Sequence, residues 1–137
     1  MDIVDILQKE HENIANLFPR YHENHDPVLL DSIVNQLIGH ATLEERHVYP
    51  TFSEVDSKAI KHSEKEHKDI TKILDKITTA SIGDDKCGLV KELEEAVSHH
   101  VKEEEENIFP HMQEKLTYSV LEALGEDFLM HKDEFSD

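Results

Sequence analysis

Apolar residues recur along this chain at steps of three and four, the period of helices that bury one face. Val4, Leu7, Ile14 and Phe18 mark the first stripe, Ile33 and Leu37 the second, Ile60, Ile70, Leu74 and Ile77 the third, and Leu89, Leu93 and Ala96 the fourth. No stretch alternates with period two as a half-buried strand does, so the pattern predicts an all-α fold. Breakers set the limits. Asp2 is placed to cap a first helix running to Pro19, and Asp26-Pro27 opens a second that ends before Pro50. Asp56 or Ser57 caps a third, to about Thr79; the Gly83-Asp84-Asp85 turn precedes a fourth that ends before Pro110, and a shorter helix covers roughly 116–131. Short connections favour antiparallel neighbours. The expectation is one domain, 1–137, an up-down-up-down four-helix bundle over about 2–112 followed by a short C-terminal helix.

The stripes are interrupted by polar residues in seats that should face the interior. His11 sits between Leu7 and Ile14, His40 and Glu44 follow Leu37, His67 precedes Ile70, and His100 and Glu104 follow Ala96. These residues belong to two repeats. His40-x-x-x-Glu44-Glu45-x-x-x-Tyr49-Pro50 returns as His100-x-x-x-Glu104-Glu105-x-x-x-Phe109-Pro110, and Lys9-Glu10-His11-x-x-Ile14 returns as Lys65-Glu66-His67-x-x-Ile70. The lone histidines are 56 residues apart and the His-x-x-x-Glu histidines 60, which describes two helical hairpins of similar design. A pseudo-twofold pairing of the hairpins brings all six side chains around one point.

A histidine on an apolar stripe is ordinarily a core residue satisfied by one hydrogen bond. A carboxylate there is different, because burying it costs several kcal/mol unless it is paired, protonated or bound to a cation. Glu44 and Glu104 have no arginine or lysine on their own stripe, and each lies one turn from a histidine, close enough to share an ion. The six residues therefore read as ligands for a pair of metal ions. Structural zinc sites favour thiolates, but the chain has a single cysteine, Cys87, off the stripes; calcium and magnesium favour oxygen alone. Mixed imidazole and carboxylate donors suit iron, with manganese or zinc left open. Two octahedral ions offer twelve positions. Four histidines, two bridging glutamates and a bridging oxide or hydroxide fill ten of them, leaving one open position on each ion. Neutral imidazoles leave positive charge on the pair, which favours the reduced state and small polarisable ligands.

These residues resemble the hemerythrin-like, HHE cation-binding family, a four-helix bundle around a non-haem di-iron centre. The resemblance covers about residues 2–112 and implies His11, His40, Glu44, His67, His100 and Glu104 as iron ligands, with both glutamates bridging. The oxygen carriers of that family have another histidine one turn after the third-helix ligand, where this chain has Thr71. They also have an aspartate five residues after the fourth-helix histidine, where Glu104 here follows by four. The chain is more similar to the symmetric four-histidine, two-glutamate members, which are linked to dioxygen, nitric oxide or iron handling.

The formal net charge of -17 opposes nucleic acid or an anionic membrane surface as partner. With no disulfide possible and no apolar run of spanning length, a cytoplasmic monomer is expected. The functional expectation is a di-iron protein that binds a small diatomic ligand, dioxygen or nitric oxide, for sensing, transfer or buffering. A di-iron enzyme consuming peroxide or nitric oxide is the alternative, needing a proton donor for which His47 and Tyr49 are the candidates; iron storage or iron sensing is another. The enzyme is the less favoured, since no further acid points inward. His47 otherwise caps its helix, or supports the site as an outer partner or substitute ligand, while Tyr49 and Phe109 pack the bundle end. His22, His25, His62, His99, His111 and His131 fall off the stripes and are expected in solvent, as is the Glu103–Glu106 run apart from Glu104. Glu10 and Glu66 should point about 100° away from the histidines they precede.

Overall fold

The computed structural model describes residues 1–81 and 85–133, and all regular structure among them is helical. The elements are α1 (Ile3–Ala15), α2 (Leu17–Asn24), α3 (Pro27–His47), α4 (Tyr49–Val55), α5 (Ser57–Thr78), α6 (Lys86–Glu103), a π-helical turn (Glu104–Ile108), α7 (Phe109–Lys115) and α8 (Tyr118–Lys132). Capping aspartates start the long helices by accepting orphan backbone N–H groups. Asp2 takes that of Val4 at 2.6 Å, Asp26 that of Val28 at 2.9 Å, and Asp85 that of Gly88 at 2.8 Å. At the third start the cap is Asp56, not Ser57, with Ala59 N–H at 3.1 Å. Gly83 and Asp84 of the expected turn lie outside the described residues.

The expected helix ends at prolines need correction. Helicity breaks before each proline and then resumes through it: at Asn16 ahead of Pro19, at Val48 ahead of Pro50, and in the π turn ahead of Pro110. A proline lacks an N–H and its ring collides with the carbonyl four residues back, so the preceding helix cannot continue in register. In the first turn of a new helix neither objection applies, and that is where each of these prolines falls. The π turn is closed by the Phe109 N–H bonding to the Glu104 carbonyl, five residues back. The inward face of the fourth segment also differs from the expected stripe. Val90, Leu93, Val97 and Ile108 are buried there, whereas Leu89 and Ala96 lie at the margin and Asn107 is exposed. The extra residue in the wide turn brings both Ile108 and Phe109 inside.

Helix α1 packs on α3 and α6, and α5 packs on α3 and α6, so the four long helices close a ring; α8 lies across α1 and α3. The interior falls into two apolar clusters. Leu7, Leu43, Tyr49, Phe52, Ile60 and Phe109 belong to the one that also takes in α8 through Leu121 and Phe128. Ile14, Phe18, Leu37, Ile70, Leu74 and Leu93 belong to the other. Each inward histidine stands where its helix passes from one cluster to the other, so the polar residues form a band across the core. His11, His40, Glu44, Ser63, His67, His100 and Glu104 are its buried members.

Candidate metal centre

The four ring helices bring all six expected side chains together. His11 comes from α1, His40 and Glu44 from α3, His67 from α5, His100 from the end of α6 and Glu104 from the start of the π turn. Both glutamates are completely buried, at 0% exposure, so water does not solvate their charge. Each carboxylate spans two histidines from different helices. Glu44 Oε1 lies 3.3 Å from His40 Nε2 and 3.2 Å from His67 Nε2. Glu104 Oε1 lies 3.3 Å from His11 Nε2 and 3.4 Å from His100 Nε2. The His67 and His100 Nε2 atoms are themselves 3.0 Å apart. One atom each from His11, His40, Glu44 and Glu104 falls within 4.8 Å of the others, and the same holds for Glu44, His67 and His100.

Proximity here is not ordinary hydrogen bonding. His11 Nε2, His40 Nε2, Glu44 Oε2 and Glu104 Oε1 are buried and make no hydrogen bond among the described residues. Each such orphan costs about 1–3 kcal/mol. Buried imidazole nitrogens and carboxylate oxygens that converge on one point are what a cation satisfies, so the donor set fits a metal site.

Behind the inner six stand four glutamates, of which the sequence pattern left Glu105 in solvent and gave Glu10, Glu45 and Glu66 no partner at the site. Glu105 Oε2 accepts from His11 Nδ1 at 2.7 Å, Glu10 Oε1 from His40 Nδ1 at 2.7 Å, and Glu66 Oε1 from His100 Nδ1 at 2.9 Å. Glu45 Oε1 stands 3.8 Å from His67 Nδ1, beyond hydrogen-bond reach. Glu10 and Glu66 do point away from the histidines they precede, and toward one on the neighbouring helix. A carboxylate on Nδ1 fixes the proton there and turns the Nε2 lone pair toward the centre. The signal was present in the repeats, since Glu10 and Glu66 share one offset and Glu45 and Glu105 another.

Two aromatic rings close the side that faces α8. The Tyr49 hydroxyl donates to Glu104 Oε2 at 2.8 Å, with Glu44 Oε1 and His67 Nε2 each 3.3 Å away, and its ring stacks on His67. Phe109, at the equivalent place in the second repeat, stacks on His11. On the other side a cavity of about 230 Å³ is lined by all four histidines and by apolar groups including Ile14, Leu37, Ile70 and Val97. Thr71 also borders it, its hydroxyl donating to the His67 carbonyl at 2.9 Å.

Without metal the cluster is held by charge. Burial pushes the His40 imidazolium down, but Glu44 and Glu10 outweigh it and leave the ring well above its ordinary 6.5. His11 and His67 are raised in the same way, burial opposing and Glu104 or Glu44 prevailing. Burial would raise Glu44, yet His40 and His67 hold it well below 4.5. Burial first, then the two carboxylates, push the Tyr49 phenol well above 10.

The remaining histidines are mostly paired. His47 is not part of the cluster: it meets Asp127 of α8 at 2.9 Å. His22 pairs with Glu94 at 2.8 Å, and His62 and His99 both approach Glu103, at 3.1 and 3.4 Å. Of the Glu103–Glu106 run, then, Glu103 and Glu105 are engaged and Glu106 is exposed.

An all-helical protein with a buried, histidine-rich and carboxylate-bridged cluster is defined by these observations. The family model for the hemerythrin HHE cation binding domain matches residues 2–112, and the chain belongs to that family. No curated protein and no solved structure matches it. Helix α8 lies beyond the matched residues. No helix among the described residues is long and apolar enough to cross a membrane.

Proposed function

We propose that His11, His40, Glu44, His67, His100 and Glu104 hold two iron ions, and that the protein binds dioxygen or nitric oxide there for sensing, transfer or buffering. The observation that carries this reading is the set of buried, unpartnered lone pairs converging beside an apolar cavity. When bound, the iron pair would supply open positions for a small ligand. The chain supplies the rest. Glu44 and Glu104 each reach toward two histidines, as bridging ligands must. Glu10, Glu66 and Glu105 orient the imidazoles. The apolar cavity favours an uncharged diatomic molecule over water at the histidine side. Residues 2–112 are taken as an up-down-up-down bundle within one domain, working as a cytoplasmic monomer without nucleic acid or membrane partner.

The test is metal analysis with an optical spectrum of protein produced with added iron. Two irons per chain with near-ultraviolet bands of a bridged pair are expected, together with a reversible spectral change on exposure to dioxygen or nitric oxide. Metal content that Glu44→Ala and Glu104→Ala leave unchanged would sink the site.

Tyr49 gives the enzyme reading a specific support. Its phenol is a buried proton donor 2.8 Å from Glu104, on the side opposite the cavity. His47, the other candidate donor, is committed to α8. Turnover of peroxide or nitric oxide that Tyr49→Phe abolishes would favour catalysis, and binding without turnover would favour the carrier or sensor.

A further inference from the structure

The C-terminal end of α3 meets α8 through three potential metal donors that share no side chain with the central cluster. His47 Nδ1 lies 2.9 Å from Asp127 Oδ2, and His131 Nδ1 lies 3.5 Å from Asp127 Oδ1. The two imidazole rings stack with centroids 4.1 Å apart and planes 18° from parallel. One donor atom from each of the three residues falls within 4.8 Å of the others. The side chains are partly buried, at 19% exposure for His47, 43% for Asp127 and 30% for His131, so the group is held by packing yet open to solvent on one side. We propose that His47, Asp127 and His131 form a second cation site, which takes one zinc ion and clips α8 to α3.

In the metal-free protein His47 Nδ1 donates to the Asp127 carboxylate and His131 Nδ1 to the Asp127 backbone carbonyl, each at 2.9 Å, so each ring has one nitrogen engaged. Two protonated imidazoles face to face at this distance repel, and one carboxylate carries only one compensating charge. Two neutral imidazoles that donate from Nδ1 keep a lone pair each on Nε2, for which the aspartate, itself an acceptor, supplies no proton. A divalent cation resolves both difficulties by accepting from both rings and from the carboxylate at once. Two imidazoles and one carboxylate, with water in the fourth position, make a tetrahedral set suited to zinc. The ligands come from residues 47, 127 and 131, so an ion here ties together segments distant along the chain. The protein's formal charge of -17 further favours a cation over a proton-sharing network.

What the ion would fasten is specific. Helix α8 covers the apolar cluster beside the central site through Leu121, Leu124 and Phe128. The next residue after His131, Lys132, places Nζ 2.8 Å from Glu10 Oε2, and the other oxygen of Glu10 accepts from His40. Zinc at the clip therefore holds in place the helix whose lysine pairs with a glutamate supporting the central cluster.

The test uses zinc as probe on the full chain, in wild type, His131→Ala and Asp127→Asn, and in Glu44→Ala/Glu104→Ala, which removes both carboxylates of the central cluster. Zinc stoichiometry by equilibrium dialysis and the shifts of the His47 and His131 ring protons are the readouts. One equivalent that survives in Glu44→Ala/Glu104→Ala, shifts both rings, and is lost or weakened at least about tenfold in the His131 and Asp127 variants is the expected result. Substitution at half-exposed His131 leaves the core intact, and Asp127→Asn preserves shape, so misfolding does not confuse the outcome. If the Glu44→Ala/Glu104→Ala protein binds no zinc, or the clip variants bind as many equivalents as wild type with unmoved ring protons, the site does not exist.

Discussion

Replacing Tyr49 by phenylalanine removes one oxygen atom from the most buried part of the molecule. In the metal-free protein that oxygen donates to Glu104 Oε2 at 2.8 Å, and both partners are shielded from water at 2% and 0% exposure. A hydrogen bond to a charged group contributes about 1.5–3 kcal/mol net, and here no water can replace the lost donor. Phenylalanine keeps the ring and its stacking on His67, so almost no cavity opens, and its greater hydrophobicity returns a fraction of the loss. The expected cost is about 2 kcal/mol, which for a chain of this size is a fall in Tm of ~6 °C. The phenol's raised pKa fixes the pH behaviour. A group whose folded value lies above its unfolded value of 10 contributes fully below 10 and loses that contribution only as pH rises through the raised value. The difference between wild type and Tyr49→Phe should therefore stay flat from about pH 6 to about pH 9. Thermal unfolding of metal-free protein followed by circular dichroism measures it. A variant that melts within about 1 °C of wild type across that range would show that the phenol donates nothing of consequence to Glu104.

Three further outcomes are expected. The raised values of His11, His40 and His67 stabilise the metal-free protein below 6.5 and cease to do so as pH rises through them; the lowered value of Glu44 stabilises it above 4.5 and fails as pH falls through it. Metal-free Tm should thus peak between 4.5 and 6.5, and metal binding should release protons and tighten with rising pH, as calorimetry in buffers of different ionisation enthalpy will read; a metal-free Tm that climbs steadily to about pH 8 contradicts this sign. Glu10→Gln, by loosening His40 Nδ1, should weaken iron binding about 10–100-fold in a chelator competition, and unchanged affinity would mean that Glu10 does not orient the ring. Gly125→Ala adds a Cβ that runs into the Met1 carbonyl and the Ile3 backbone nitrogen; the overpacking, about 1–3 kcal/mol, outweighs a helix-propensity gain of about 1 kcal/mol, and a Tm at or above wild type would show that α8 shifts freely.

The helical stripes and the six inward polar seats were legible because both follow from periodicity within one helix. His67 and His100 are buried for the same reason that Ile70 and Leu93 are, and a carboxylate among such residues announces itself by its cost. The starts of the four long helices were legible too, since Asp2, Asp26, Asp56 and Asp85 cap locally. What escaped depends on a neighbour or on register. Glu10 points away from His11 as expected but has no partner until α3 is placed beside α1, and His47 has none until α8 folds across α3. Pro19, Pro50 and Pro110 are unmistakable breakers, yet sequence alone does not distinguish a helix that stops from one that breaks and restarts on a new axis.

The two halves of the central cluster are nearly copies of each other, and they differ at one atom that matters. After five residues Glu44 is followed by Tyr49 and Glu104 by Phe109, so the His67 end meets a hydroxyl, which reaches both glutamates, and the His11 end only the face of a ring. Whatever pair of charges the cluster holds therefore sits in two unequal fields. A proton has an address at one end and none at the other, and a twofold repeat in the chain becomes a polarity in the folded core.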